Sequence, residues 1–151
     1  MRCSIADIDK IRRILTDDSV HVPVYGCRYN PETCRDVAID AFRDDRIIVL
    51  MPNDTAVFIF TPYSNEIYTG HSFVIKDGRG KKAIYGGKSA VKWMFENTGC
   101  IKIFGFTPEY AKHTILFNRL LGFKQEGLLT KSLTKDGKLF DQIIFGLSKG
   151  V

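Results

Sequence analysis

The chain has 151 residues, a formal net charge of +5, 44% hydrophobic and 26% charged residues. Those are globular proportions for one domain with its own core, and they exclude collagen-like, disordered and disulfide-scaffold classes. No apolar run approaches the roughly 18 residues that span a bilayer, and residues 1–10 lack the basic-then-apolar pattern of a secretory leader, so a cytoplasmic protein without a membrane partner is expected.

The predicted elements begin with a very short opening strand. Ser4 and Asp7 then have capping-box spacing, and Ile5, Ile8, Ile11 and Leu15 recur at helical intervals, which predicts a first helix. Residues 20–29 read as an irregular loop. A second helix follows, with Asn30 as cap, Pro31 in its first turn and Cys34, Val37, Ala38, Ala41 and Phe42 on its apolar stripe. From residue 46 the period changes. Segments 46–51, 55–61 and 66–75 are β-branched and aromatic runs punctuated by turn residues, which predicts a three-strand meander. Asp77-Gly78-Arg79-Gly80 breaks the third strand. Ala83, Ile84, Gly87, Ala90, Val91, Met94 and Phe95 then line one face of a long helix that Gly99 is expected to end. Residues 100–106 form a further strand. Thr107 and Pro108 suit the start of another helix, and Gly122 suits its end. Two final strands, 123–133 and 138–148, flank an Asp136-Gly137 hairpin turn.

Cys3, Cys27, Cys34 and Cys100 include no Cys-x-x-Cys pair, so they read as reduced thiols, and no metal site is expected. The informative stretch is Lys76-Asp77-Gly78-Arg79-Gly80-Lys81-Lys82-Ala83. A glycine turn that delivers a strand into a helix leaves the first backbone N–H groups unpaired at the positive end of the helix dipole, which suits phosphate. Lys76, Arg79, Lys81, Lys82, Lys88 and Lys92 crowd this strand end and helix against one acid, Asp77. The bland reading is a solvated helix face, and on local pattern alone the two are evenly matched. Gly86-Gly87-Lys88-Ser89 resembles the end of a Walker A loop but is not one. Lys82 stands where its first glycine belongs, and the segment lies inside a periodic helix. Gly86 and Gly87 are expected to let the helix pack closely on the sheet.

In order and punctuation the chain resembles the GNAT (Gcn5-related) N-acyltransferases over nearly its whole length. The resemblance is carried by Arg79-Gly80-Lys81, by the Asn118-Arg119-Leu120-Leu121-Gly122-Phe123 junction, and by the closing hairpin from Asp136-Gly137-Lys138 to Asp141. It implies an α+β fold: a mixed, mainly antiparallel, twisted sheet of about seven strands with helices on both faces, splayed between strands 66–75 and 100–106. It further implies acetyl-CoA as acyl donor, held by Arg79, Gly80, Lys81, Lys82 and Ala83, with the pantetheine arm in the split and an unidentified amine as acceptor.

The match is not complete. Against the family pattern Gln/Arg-x-x-Gly-x-Gly/Ala only Arg79 fits, because Lys82 and Ile84 occupy the small positions, and Gly80 and Ala83 stand two residues and one residue early. The position where many members carry a tyrosine acid is Asn118, and the preceding asparagine of the pattern is Ala111. Tyr110 and His113 lie on the same predicted helix. His71 is the first candidate base, since an imidazole with an ordinary pKa near 6.5 accepts protons at neutral pH; Glu66 is the second. An equal alternative for His71 is a strand histidine at an edge or under a loop.

A second reading comes from short GNAT-like proteins of tailed bacteriophages, some described as head-assembly proteins, which the chain also resembles. It implies phage structural proteins as partners and fits the missing tyrosine. Nucleic-acid binding ranks third and is expected to be weak and sequence-independent, because the basic residues gather at one phosphate site. The sequence is compatible with a homodimer and does not fix the oligomeric state.

Overall fold

The computed structural model describes residues 1–150. Ser4 and Asp7 form the expected capping box, with Ser4 N–H donating to Asp7 Oδ2 at 3.0 Å and Ala6 N–H to Ser4 Oγ at 3.3 Å. A single 3-10 turn at Ile5–Asp7 leads into α1 (Ile8–Leu15), which buries Ile11, Ile14 and Leu15. The opening strand shrinks to one bridge, Arg2 to Leu50, flanked by two backbone hydrogen bonds.

The next segment corrects the sequence reading. The expected loop contains α2 (Asp18–Tyr25), capped by Asp17 Oδ1 on Ser19 N–H at 2.9 Å and stopped by Gly26. Pro23 hid it, because proline removes an intrahelical donor. The expected second helix shrinks to α3 (Val37–Asp40), capped by Asp36, while Asn30 and Pro31 make only a turn. Asp36 also receives the Arg12 guanidinium at 2.9 and 3.1 Å, which ties this segment to α1.

The meander is present as β1 (Ile48–Asn53), β2 (Ala56–Ser64) and β3 (Ile67–Val74). A 3-10 turn at Lys76–Gly78 then leads into α4 (Lys81–Asn97), followed by β4 (Lys102–Pro108), α5 (Lys112–Leu120), β5 (Lys124–Lys135) and β6 (Lys138–Ser148). The six strands lie in the order β1-β2-β3-β4-β6-β5, and every pairing is antiparallel except β3 with β4. The seventh expected strand is the one reduced to the Arg2 bridge.

Two helix boundaries also differ from the sequence reading. Thr98, not Gly99, ends α4: its N–H and hydroxyl both bond the Met94 carbonyl, at 3.2 and 2.6 Å, and its hydroxyl then accepts Cys100 N–H. Thr107 and Pro108 stay in β4, because β6 pairs with them through Ile143 and Gln142, so α5 starts four residues later. Gly122 does end α5: at φ 96 it brings Phe123 N–H back to the Asn118 carbonyl and its own N–H to that of Arg119.

Each sheet face carries its own core. On one, Ile11, Ile14, Leu15, Val20, Ala38 and Ala41 from α1–α3 and the loop after α3 meet Val49, Val57 and Ile75. On the other, Ala90 and Met94 of α4 meet Ile48, Leu50, Phe58, Phe60 and Ile103. Gly86 and Gly87 do allow close packing, but not both on the sheet. A Cβ on Gly86 would press on Pro52 and Asn53 after β1's core residues, whereas one on Gly87 would stand 2.8 Å from Leu121 beside α5.

Candidate functional site

The sheet opens in its middle. The parallel strands β3 and β4 pair only at Ile67–Lys102, Tyr68–Ile103 and Thr69–Phe104, after which β3 follows β2 and β4 follows β6. Gly70 and Gly105 stand at the last point of contact: a Cβ on Gly105 would lie 3.0 Å from the Gly70 carbonyl oxygen, and one on Gly70 3.0 Å from Ile103. Beyond them the β3 edge from Gly70 to Val74 has no partner in β4. Its donors and acceptors are set in strand geometry and open to a ligand chain.

At the far end of that edge β3 passes through the 3-10 turn into α4. Gly80 is the N-cap residue at φ 83 and ψ −140, a conformation that L side chains rarely adopt, and no side chain caps the helix. The first helical bond is Ile84 N–H to the Gly80 carbonyl, so the amides of Lys81, Lys82 and Ala83 point out unpaired at the positive end of a 17-residue helix. These are donors an anionic pyrophosphate would need. Ala83 is buried and small, and it seats the first turn against the core. Gly78 is held against Thr55, where any Cβ would collide with the threonine side chain.

The basic residues divide into held and free. Lys82 Nζ pairs with Asp54 at 2.9 Å and holds that carboxyl below its usual range, and Lys92 pairs with Glu96 at 3.7 Å. Among the described residues no acid comes within ion-pair distance of Lys76, Lys81 or Lys88. Arg79 turns away from the helix amides and donates from Nη2 to the Ser19 carbonyl at 2.9 Å. That carbonyl is free because Pro23, four residues on, has no N–H to give it. Ser19 Oγ meanwhile accepts Lys76 N–H at 2.9 Å. One residue of α2 thus holds the loop at both ends. Sequence reasoning missed Ser19, and the only signal for it was Pro23 itself.

The two candidate bases separate. His71 lies in β3 one residue past the opening, and its pairing with Ile59 places it on the α1–α3 face. Its side chain is exposed, yet the surrounding protein pushes its pKa below the ordinary value by desolvation, so the ring is neutral at pH 7 and offers a lone pair. Glu66 sits in the β2–β3 hairpin turn at φ 64, at the paired end of β3, where its carbonyl accepts Ile101 N–H. Five residues at about 3.3 Å each put it about 16 Å down the strand from His71. Glu66, the second candidate base, thus lies at the end of β3 that pairs with β4, and His71 at the end that does not.

Asn118 reaches the sheet but is not free. Its Nδ2 donates to Thr107 Oγ1 at 2.9 Å, giving a buried hydroxyl its partner and tying α5 to β4. Tyr110 precedes α5 and packs edge-on against Phe140 with the Lys135 ammonium 4.6 Å above its ring; His113 is exposed in the first turn.

Solved structures share this backbone over nearly the whole chain. The chain has the GNAT acetyltransferase fold. A ribosomal-protein-S5-alanine acetyltransferase from Vibrio fischeri superposes with a TM-score of 0.74 at 12% identity, over 99% of this chain and 92% of that one. A GNAT-family acetyltransferase from Bacillus anthracis gives 0.74 at 13%, over 98% and 92%. The yncA protein of Salmonella typhimurium, whose structure holds acetyl-CoA as its cofactor, gives 0.71 at 16%, over 98% and 91%. No protein-family model and no curated protein matches the sequence. The GNAT fold is therefore shown by backbone shape. No helix among the described residues is long and apolar enough to cross a membrane.

Proposed function

We propose that the chain is an acyl-CoA-dependent N-acyltransferase acting on a primary amine, with acetyl-CoA as donor. The observation that carries this reading is the continuity between the unpaired β3 edge and the uncapped α4 amides. Together they form one track that suits an amide-bearing arm ending in a pyrophosphate. The residues fit that group: Gly80 leaves the approach clear, Lys81, Lys82 and Ala83 offer backbone donors, and Lys76, Lys81 and Lys88 add unpaired positive charge. Arg79 serves by holding the loop on α2.

When bound, the thioester supplies an electrophilic acyl carbon and a leaving thiol. The chain's own work is then to place the amine and to move one proton. The unprotonated ring nitrogen of His71 takes the proton that the amine nitrogen sheds as its bond to the acyl carbon forms and the carbon–sulfur bond breaks. A thiol leaving group, with an ordinary pKa near 8.5, would need little proton assistance, so lacking the tyrosine would slow this chain instead of disabling it.

The test is thermal stability in millimolar acetyl-CoA, since a ligand that binds only the native state raises its melting temperature. A shift that Arg79→Glu abolishes supports the reading. No shift in the unaltered chain overturns it, and binding without transfer to any amine gives first place to an assembly role.

A further inference from the structure

Three aromatic rings lie outside both cores and pack on one another. Tyr63 at the end of β2 meets Phe104 edge-on at 5.0 Å between centroids, and Phe104 meets Phe106 in the same manner at 5.9 Å. Strand alternation and the Thr69–Phe104 pairing put Phe104 and Phe106 on the face that carries His71, and Tyr63 joins them there through its contact with Phe104; His71 and Phe106 each stand two residues past that last rung. Helices α1–α3 cover the part of this face formed by β1, β2 and the end of β3, and leave the rings uncovered: Tyr63 is 69% exposed and Phe106 45%.

Along β6 the border of this aromatic shelf is apolar or self-neutralised. Ile144 of β6 pairs beside Phe106, and Gly146 beside Phe104. The Glu126 carboxylate occupies the space over Gly146 and is bound by Lys102 Nζ at 2.6 Å. Glu126 therefore offers a polyamine no free charge beside Phe104 and Phe106, and Glu66, which shares a hollow with Tyr63, lies in the β2–β3 turn about 16 Å from His71. A flat ring would meet ring faces and edges already set for edge-to-face or offset contact, each worth roughly 0.5–1.5 kcal/mol beyond area burial.

We propose that Tyr63, Phe104 and Phe106 form the acceptor subsite, and that the acceptor is a primary amine carried on an aromatic body, its nitrogen directed at His71 and its ring on the shelf. This rests on the acyl-transfer reading and adds the substrate class to it. Specificity then comes from the rings, while His71 and the α4 amides act on any amine that reaches the opening.

Two measurements on the full chain test the shelf separately from catalysis. In the first, phenethylamine is titrated into 15N-labelled protein with CoA present; amide shifts at residues 104–106 that Phe106→Ala removes support the subsite, and no shift there overturns it whether or not turnover occurs. In the second, CoA release from acetyl-CoA is followed with phenethylamine and with n-butylamine. The expected kcat/KM ratio is about tenfold or more in favour of the aromatic amine, carried mainly by KM. It should fall to within about twofold of unity in Phe106→Ala and in Tyr63→Ala, and stay unchanged in Leu116→Ala on the outer side of α5. A ratio near unity in the unaltered chain, with both amines turned over, overturns the subsite and leaves acyl transfer standing. Ring-dependent binding with no turnover of any amine does the reverse. Concentration-dependent dimerisation lost in Phe106→Ala would show that a second copy of the chain occupies the shelf, and would overturn the proposal.

Discussion

His71 carries two expectations that share one cause. The folded chain holds its pKa below the unfolded value of about 6.5. As pH falls the unfolded state binds the proton first, so the stabilising difference is present above about pH 6.5 and is lost as pH drops through the folded pKa. The melting temperature of the unaltered chain should therefore fall more steeply between pH 7.5 and 5 than that of His71→Gln; parallel curves would contradict the assignment. Turnover should be flat near pH 7 to 8 and decline on the acid side as the same ring protonates. The Asn118–Thr107 bond makes a different prediction. Asn118→Ala strands a buried hydroxyl and should cost about 1–3 kcal/mol in urea unfolding. Adding Thr107→Val removes the stranded group as well and should recover part of that loss.

Among the elements, α2 was the least legible and matters most to the loop. A proline in an eight-residue segment argues against a helix by propensity, and the tertiary gain that overrides it, Ser19 bonded to Arg79 and Lys76, is invisible in one dimension. Strands β1 to β3 and the helix after Gly80 were legible because alternation, turn residues and a 3.6-residue stripe all agreed. The start of α5 was misplaced for a related reason: Thr107-Pro108 is a sound local helix start, but pairing with β6 wins. Ser19→Ala should leave α2 folded, since Asp17 still caps it. It should remove one loop bond worth about 0.5–1.5 kcal/mol and weaken acetyl-CoA binding several-fold by calorimetry. Unchanged affinity would show that α2 does not set the loop.

Across the whole molecule, the sequence indicated the fold class and the position of the phosphate-suited helix start, because both are written in local punctuation. It did not indicate which candidates meet. Glu66 immediately precedes the strand that carries His71, yet only His71 lies at the opening, since the point where β3 leaves β4 depends on Gly70 meeting Gly105, residues 35 apart in the chain. The aromatic shelf was hidden likewise, being assembled from β2 and β4 across that join. The central claim is that this opening transfers an acyl group to an amine. Its most direct test is release of free CoA from acetyl-CoA with polyamines, amino acids, peptide amines and arylalkylamines, comparing the unaltered chain with His71→Ala. Slow turnover that His71→Ala lowers by about a hundredfold or more agrees with the account. Acetyl-CoA binding with no CoA released above the His71→Ala background would contradict it.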